Sequence, residues 1–270
     1  MAERSLRAEL AEVVGSAKEA TWILEQITDP TIARQVARRR AAGEPLQYLL
    51  GTWPFRGIDL RVDDRALIPR PETEQVVDHA LAAWRRSRPG SDGLVIADLG
   101  TGSGAIGLSL GAELSAEATI FRIMLGDLSE RALELAGANA ARLGIEVELH
   151  CGSWHEAIPA EMRRGVHLLV ANPPYVAAAA EAHLAVELSF EPRMALFSAD
   201  ADDGTPGFAE VAAVIDGAVG SLAPDGIVVV EMAEHQVAVA IGRAEAAGLV
   251  DVHDIVDLAG HPRGIVGRAP

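Results

Sequence analysis

Ile96-Ala97-Asp98-Leu99-Gly100-Thr101-Gly102-Ser103-Gly104 is an apolar run that ends in an acid and then breaks into glycines at every second position. The apolar part reads as a strand, and Ala105-Ile106-Gly107-Leu108 beyond it reads as the start of a helix. Glycine lets the backbone turn tightly and lets a ligand approach the main chain. The first turn of the new helix offers unpaired N–H groups to a carboxylate or a phosphate. Strand, glycine turn and helix in that order open an α/β unit, although the same turn can also close without a ligand.

Outward from this segment the chain alternates. Strands are expected at 94–98, 120–126, 145–151, 166–171, 226–232, 249–257 and 264–268, and helices at 104–113, 129–143, 207–222 and 234–247. Such alternation predicts a mainly parallel sheet covered on both faces. The connection Ala259-Gly260-His261-Pro262-Arg263-Gly264 between the last two strands is too short for a helical crossover. The final strand is therefore expected to pair antiparallel.

Toward the amino terminus the pattern changes. Residues 4–50 read as helical, with Leu6, Leu10, Val13 and Val14 at helical spacing, a break at Asp29-Pro30, and Gly43 as a cap. Residues 46–70 read as a hairpin-like connector, with Ile58, Leu60 and Val62 alternating. Ile68-Pro69-Arg70-Pro71-Glu72-Thr73-Glu74 then starts a helix at Pro71 that runs to about Trp84. The segment serves equally as a lid over a ligand. Arg85 to Gly93 reads as a polar loop. The division expected is 1–45, a small helical domain; 46–70, the connector; and 71–270, the main domain.

Composition narrows the function. The 270 residues carry 39 acidic against 23 basic side chains, a formal charge of -16. That argues against broad binding to bare nucleic acid, which needs basic surface. Arg38-Arg39-Arg40 is one candidate for a small basic patch, and a solvated helix face is the preferred account of it. A single cysteine, Cys151, excludes an internal disulfide and fits a reducing, cytoplasmic setting. The eight histidines show no metal-ligand spacing. No window reaches the length of a membrane span.

A glycine loop of this kind serves NAD, FAD and S-adenosylmethionine alike. Asp127, at the end of the second strand, suits the ribose hydroxyls of an adenosine cofactor, or else caps the next helix, a role Ser129 also fills. Asp98 either contacts the cofactor or braces the loop, and bracing is the preferred reading. The discriminating segment is Asn172-Pro173-Pro174-Tyr175 at the end of the fourth strand. Ligands of open parallel sheets lie beyond the carboxyl ends of the strands, so Asn172 is expected to face the same crevice as Gly100 to Gly104. The lone pair of an sp2 amide nitrogen is delocalised and must be aimed. The Asn172 side-chain oxygen and the Pro173 carbonyl can accept from its NH2 group, Pro174 adds no competing N–H, and Tyr175 can stack on the amide plane. Catalysis is then one of orientation and electrostatics. A rigid turn without chemistry is the competing account.

With these motifs in view the sequence resembles the HemK/PrmC family, the peptide chain release factor N(5)-glutamine methyltransferases. The matching segments are Gly51-Thr52 with Pro54-Phe55, Leu67 to Glu74, Asp98 to Gly104, Asn172 to Tyr175, and Phe190-Glu191-Pro192. The resemblance implies an α/β class I S-adenosylmethionine-dependent methyltransferase fold. That fold is Rossmann-like, with a mainly parallel seven-stranded sheet, an antiparallel last strand and a small N-terminal helical substrate-docking domain. It implies S-adenosylmethionine as donor, no metal, and the glutamine of a Gly-Gly-Gln loop in a release factor as acceptor. Carried over by motif, Gly100, Thr101, Gly102, Ser103, Gly104, Asp127, Trp154 and Asn172 contact the cofactor. Asn172, Pro173, Pro174 and Tyr175 hold the glutamine, with Asn172, Pro173 and Tyr175 as the catalytic set. Trp154 would flank the adenine or simply pack in the core.

The departures are a helical domain that looks shortened after Gln26, Ser153 in place of a usual Asp, and a long acidic loop from Ser198 to Gly207. Other readings stay open. They are a glutamine methyltransferase for a ribosomal or other protein, a DNA adenine N6-methyltransferase, and a non-catalytic cofactor-binding module. Neither a membrane nor a nucleic acid partner is expected.

Overall fold

The computed structural model describes residues 2–87, 93–117, 121–257 and 259–270. Of the expected loop from Arg85 to Gly93, positions 88–92 lie outside these residues and Arg85–Ser87 are the end of a helix instead; position 120, the expected start of the second strand of the α/β region, also lies outside. Four helices come first: α1 (Ala2–Val14), α2 (Ala17–Gln26), α3 (Pro30–Ala41) and α4 (Leu46–Leu50). They enclose a small core of Leu10, Ala20, Ile23, Ala33, Val36, Ala37 and Leu46. Their starts are chemically marked. The Ser16 side chain accepts from the Glu19 N–H, and Asp29 accepts from the Thr31 and Ile32 N–H groups ahead of Pro30. Leu46–Leu50 is a short helix rather than the first part of an extended connector, because Leu46 is drawn into the helical core. The arginine run is largely neutralised by neighbours: Arg39 pairs with Glu44, and Arg40 pairs with Glu19 and Glu187.

A tight antiparallel hairpin follows, β1 (Thr52–Phe55) and β2 (Ile58–Arg61), turned by Arg56 and Gly57 at positive φ. A single 3-10 turn at Pro71–Thr73 then feeds α5 (Glu74–Ser87). The main sheet begins with β3 (Leu94–Leu99), α6 (Ala105–Ala116), β4 (Phe121–Asp127), α7 (Glu130–Leu143), β5 (Glu148–Cys151) and β6 (Val166–Ala171). A two-residue pair, β7 (Val176–Ala177) and β8 (Phe197–Ser198), brackets two 3-10 segments and the short α8 (Arg193–Leu196). The chain closes with α9 (Ala209–Ser221), β9 (Leu222–Glu231), α10 (Val237–Ala246), β10 (Val250–Val256) and β11 (Pro262–Arg268).

The seven-stranded order is β10-β11-β9-β6-β3-β4-β5. Strands β3, β4, β5, β6 and β9 run parallel, and β11 is antiparallel to both its neighbours. The short turn before β11 allows nothing else. This is the expected Rossmann-like α/β sheet with an antiparallel last strand. Two apolar layers bury its faces. One joins α5, α6, α7 and the hairpin through residues such as Val77, Leu81, Leu108 and Phe55. The other joins α9 and α10 through Val211, Ile215 and Ala240. The central strands are buried on both sides, so they read as continuous apolar runs.

Three strand starts differ from expectation by more than one residue; one is that of β11, which begins at Pro262 instead of 264. β5 starts at Glu148, because the Ile145 N–H turns back to the Ala140 carbonyl and residues 144–147 close the end of α7. β9 starts four residues early, at Leu222, which pairs with Val166 before an irregularity at Asp225-Gly226.

Candidate active site

The carboxyl ends of β3, β4 and β6 open into one cavity of about 290 Å³. That is near the lower limit of the roughly 300–1,000 Å³ typical of small-molecule sites. Its floor is the glycine loop. Gly100, Gly102 and Gly104 have φ of 71°, 56° and 87°, a left-handed path that suits glycine. The Gly100 and Thr101 N–H groups donate to the Gly126 carbonyl at 2.8 and 3.0 Å, tying the loop to β4. Gly100, Thr101, Gly102 and Ser103 line the cavity, whereas Gly104 begins α6 behind them.

Asp98 is buried beneath the loop. It accepts from the Thr101 hydroxyl at 2.7 Å and the Gly107 N–H at 2.9 Å and does not line the cavity, so it braces. Burial pushes its carboxyl up to about 6, with the two hydrogen bonds opposing. Asp127 does line the cavity. Its two oxygens accept from the Gly102 and Ser129 N–H groups, each at 2.9 Å, and burial raises its pKa. Each oxygen keeps a second lone pair for a ligand hydroxyl. Ser129 caps α7 itself, so Asp127 is not needed for that role.

Trp154 stands at φ 44° with its ring against Gly100, where an added Cβ would come within 2.9 Å of the ring. Its indole N–H donates to Glu210 at 2.6 Å, and both side chains line the cavity beside Ser153. Trp154 thus packs against the core and also forms a wall.

At the end of β6, Asn172 and Pro174 line the same cavity. Pro173 is buried and Tyr175 half-buried, and neither lines it. The Tyr175 ring packs with the α9 side of the core, and its hydroxyl donates to Glu231 at 3.3 Å. The Asn172 amide donates from Nδ2 to the Thr73 hydroxyl at 3.1 Å.

The opposite wall comes from the segment with two sequence readings. Leu67, Pro69 and Thr73 line the cavity, and Pro71–Thr73 is also the helix start. Glu191 locks it in place. Its side chain is 1% exposed, accepts from the Ile68 N–H at 3.0 Å and pairs with Arg70. Pro192, Met194 and Phe197 complete the rim. The sequence motifs signalled the Leu67–Glu74 segment, read as a helix start or a lid, and the Phe190-Glu191-Pro192 segment. Glu210 and Glu231 carried no signal.

Comparison with known proteins follows this geometry. Residues 81–198 match the methyltransferase small domain family. A release factor glutamine methyltransferase of Bordetella pertussis is 42% identical, over 91% of this chain and 88% of its own. One of Burkholderia pseudomallei is 35% identical, over 97% and 90%. Among solved structures, the N-terminal domain of human METTL16 in complex with SAH superposes with a TM-score of 0.53. It is 13% identical, and the match covers 87% of this chain and 83% of that one, a likeness of fold.

Proposed function

The chain belongs to the family of release factor glutamine methyltransferases, and on that premise we propose that its acceptor is the glutamine of the Gly-Gly-Gln loop of a peptide chain release factor. The enzyme is an S-adenosylmethionine-dependent protein-glutamine N-methyltransferase. The observation that supports the finer reading is the meeting of the Asn172 turn and the Gly100 loop in one cavity. An Asn172 side chain buried away from that crevice would have removed the case.

The cavity suits the donor. Its positive-φ glycine floor leaves room for a ligand against the backbone, and Asp127 keeps free lone pairs at the end of β4. Gly100, Thr101, Gly102, Ser103, Asp127, Trp154 and Asn172 would hold the cofactor, with Gly104 shaping the turn behind them. Bound S-adenosylmethionine supplies an electrophilic methyl on a sulfonium and leaves a neutral thioether. The protein's part is to aim the amide nitrogen. In our reading the Asn172 oxygen accepts from the substrate NH2 group; the expected second acceptor, the Pro173 carbonyl, belongs to a residue that does not line the cavity in this structure. Pro173 and Pro174 lack N–H groups that would compete. Tyr175 holds the turn from behind. Fixing the nitrogen in line supplies rate through orientation and preorganised acceptors.

The helical unit of residues 1–45 is proposed as the docking domain for the protein substrate, residues 46–70 as its connector and residues 71–270 as the catalytic domain. Support comes from continuity of surface. Arg40 reaches Glu187, and a Cβ at Gly43 would meet Val186 and Phe190, which are themselves exposed. A cytoplasmic enzyme of translation fits this reading, and no described helix is long and apolar enough to cross a membrane.

The test is methyl transfer from labelled S-adenosylmethionine to purified release factor, located by peptide mass spectrometry. One added methyl on the Gly-Gly-Gln glutamine is expected, lost when that glutamine is replaced. Label on another protein or on duplex DNA, with none on the release factor, overturns the acceptor.

A further inference from the structure

We propose, resting on the function above, that Glu231 is a positioning residue: it takes the hydroxyl hydrogens of Thr73 and Tyr175 and thereby fixes the Asn172 amide with its oxygen toward the substrate. Glu231 is the last residue of β9 and only 3% exposed. The parallel register pairs Ala171 of β6 with Val230 of β9, so Asn172 and Glu231 are the next residues on neighbouring strands. The Tyr175 hydroxyl donates to one Glu231 oxygen at 3.3 Å, and the other oxygen is buried without a partner of its own. The Thr73 hydroxyl also lies beside this carboxylate and favours its ionised form, without closing a hydrogen bond to either of its oxygens in this structure. From its other side Thr73 accepts from Asn172 Nδ2 at 3.1 Å.

The polarity of this chain follows from counting hydrogens. A threonine hydroxyl has one hydrogen, and an ionised carboxylate only accepts. With its hydrogen directed to Glu231, Thr73 can offer Asn172 only a lone pair. That selects the NH2 end of Asn172 and leaves the oxygen free, in the cavity that both side chains line. Reversal of the amide would set NH2 against the substrate NH2, two donors without an acceptor. Through Tyr175 the same carboxylate anchors the other end of the four-residue turn. Glu231 touches neither substrate nor cofactor in this account and acts only through its neighbours.

The experiment measures kcat, KM for the release factor, cofactor affinity and melting temperature of the full-length wild type, Thr73→Val, Thr73→Ser and Glu231→Gln. Thr73→Val and Glu231→Gln are expected to lose roughly 10²-fold in kcat, the scale of a misaimed reacting group. Cofactor affinity is expected to stay within about threefold, a change of less than about 1 kcal/mol. Thr73→Ser restores the hydroxyl and should turn over within about threefold of wild type, again a change of under about 1 kcal/mol in barrier. A purely structural carboxylate would lower kcat only by weakening the fold. Glu231→Gln should instead be slow while melting no lower than wild type at alkaline pH. Folded Thr73→Val and Glu231→Gln with near-normal kcat overturn the proposal alone, as does a Thr73→Ser no better than Thr73→Val. If Glu231→Gln does not fold, the Val and Ser pair decides. A wild type that methylates no glutamine removes the functional reading and the proposal together.

Discussion

Replacing Glu231 by glutamine should change the pH dependence of stability in a calculable way. Burial pushes the Glu231 carboxyl from its ordinary 4.5 up to about 7; the Thr73 and Tyr175 hydroxyls pull the other way, as does Arg263, while Glu72 adds to the rise. A carboxyl raised in the folded state keeps its proton at pH values where the unfolded chain has lost it. The folded state then binds more protons than the unfolded state between pH 4.5 and about 7. Stability therefore falls as pH rises through this window, and the penalty is complete above it. At about 1.4 kcal/mol per pH unit, the interval amounts to about 3 kcal/mol. Asp98, raised to about 6 by burial, contributes with the same sign, while paired carboxylates such as Asp257 have lowered values and the opposite sign. Comparing wild type with Glu231→Gln cancels both. The assay is urea unfolding of each protein at about pH 5 and about pH 8. The stability difference should shift by about 3 kcal/mol in favour of the glutamine variant at the higher pH. A difference that stays constant across the window would refute the reasoning, since it would mean that Glu231 titrates alike in both states.

Two further outcomes follow from the site. Asn172→Ala should keep S-adenosylmethionine binding within a few-fold by calorimetry while losing roughly 10²–10³-fold in kcat, the cost of removing a preorganised polar partner; near-normal turnover would count against the aiming role. Gly100→Ala forces a Cβ onto a residue at φ 71° and to within 2.9 Å of the Trp154 ring, so cofactor affinity should fall by at least tenfold in the same calorimeter, and unchanged affinity would show that the loop tolerates a side chain.

Much of this architecture is legible in the sequence, for identifiable reasons. Strands buried on both faces are apolar throughout, so Leu94–Leu99 and Val166–Ala171 fall within a residue of expectation. Ser16, Asp29 and Ser129 mark helix starts because their side chains take up orphan N–H groups. Ligand positions at strand ends follow from topology, which brings Asn172 beside Gly100 without any side-chain information. What stays hidden is decided by tertiary contacts. Leu46–Leu50 falls in both the expected helical stretch and the expected connector, and its packing decides for a helix. Glu191 stands in the Phe190-Glu191-Pro192 motif and Glu231 reads as an ordinary polar residue, but the burial of both depends on partners more than 100 and about 55 positions away, Arg70 and Tyr175. Trp154 in a left-handed conformation has no local signature either.

The buried acid and the proline turn are two parts of one device. An amide nitrogen approaching its methyl donor needs acceptors around its two hydrogens and no donors beside them. Pro173 and Pro174 contribute no N–H, a choice made in the covalent chain. Thr73 and Tyr175 would add hydroxyl donors of their own, within reach of the turn at 3.1 Å from Asn172 and inside the turn itself. An ionised carboxylate behind them, able only to accept, draws both hydrogens away from the cavity. An apolar residue at 231 would be cheaper to bury than a carboxylate whose charge costs about 3 kcal/mol above neutrality. It would leave the Thr73 hydrogen free to turn toward Asn172 and reverse its amide. The ionised carboxylate that lowers stability at Glu231 is the same group that sets the polarity presented to the substrate, and for that reason Glu231→Gln should raise stability above neutrality and slow turnover.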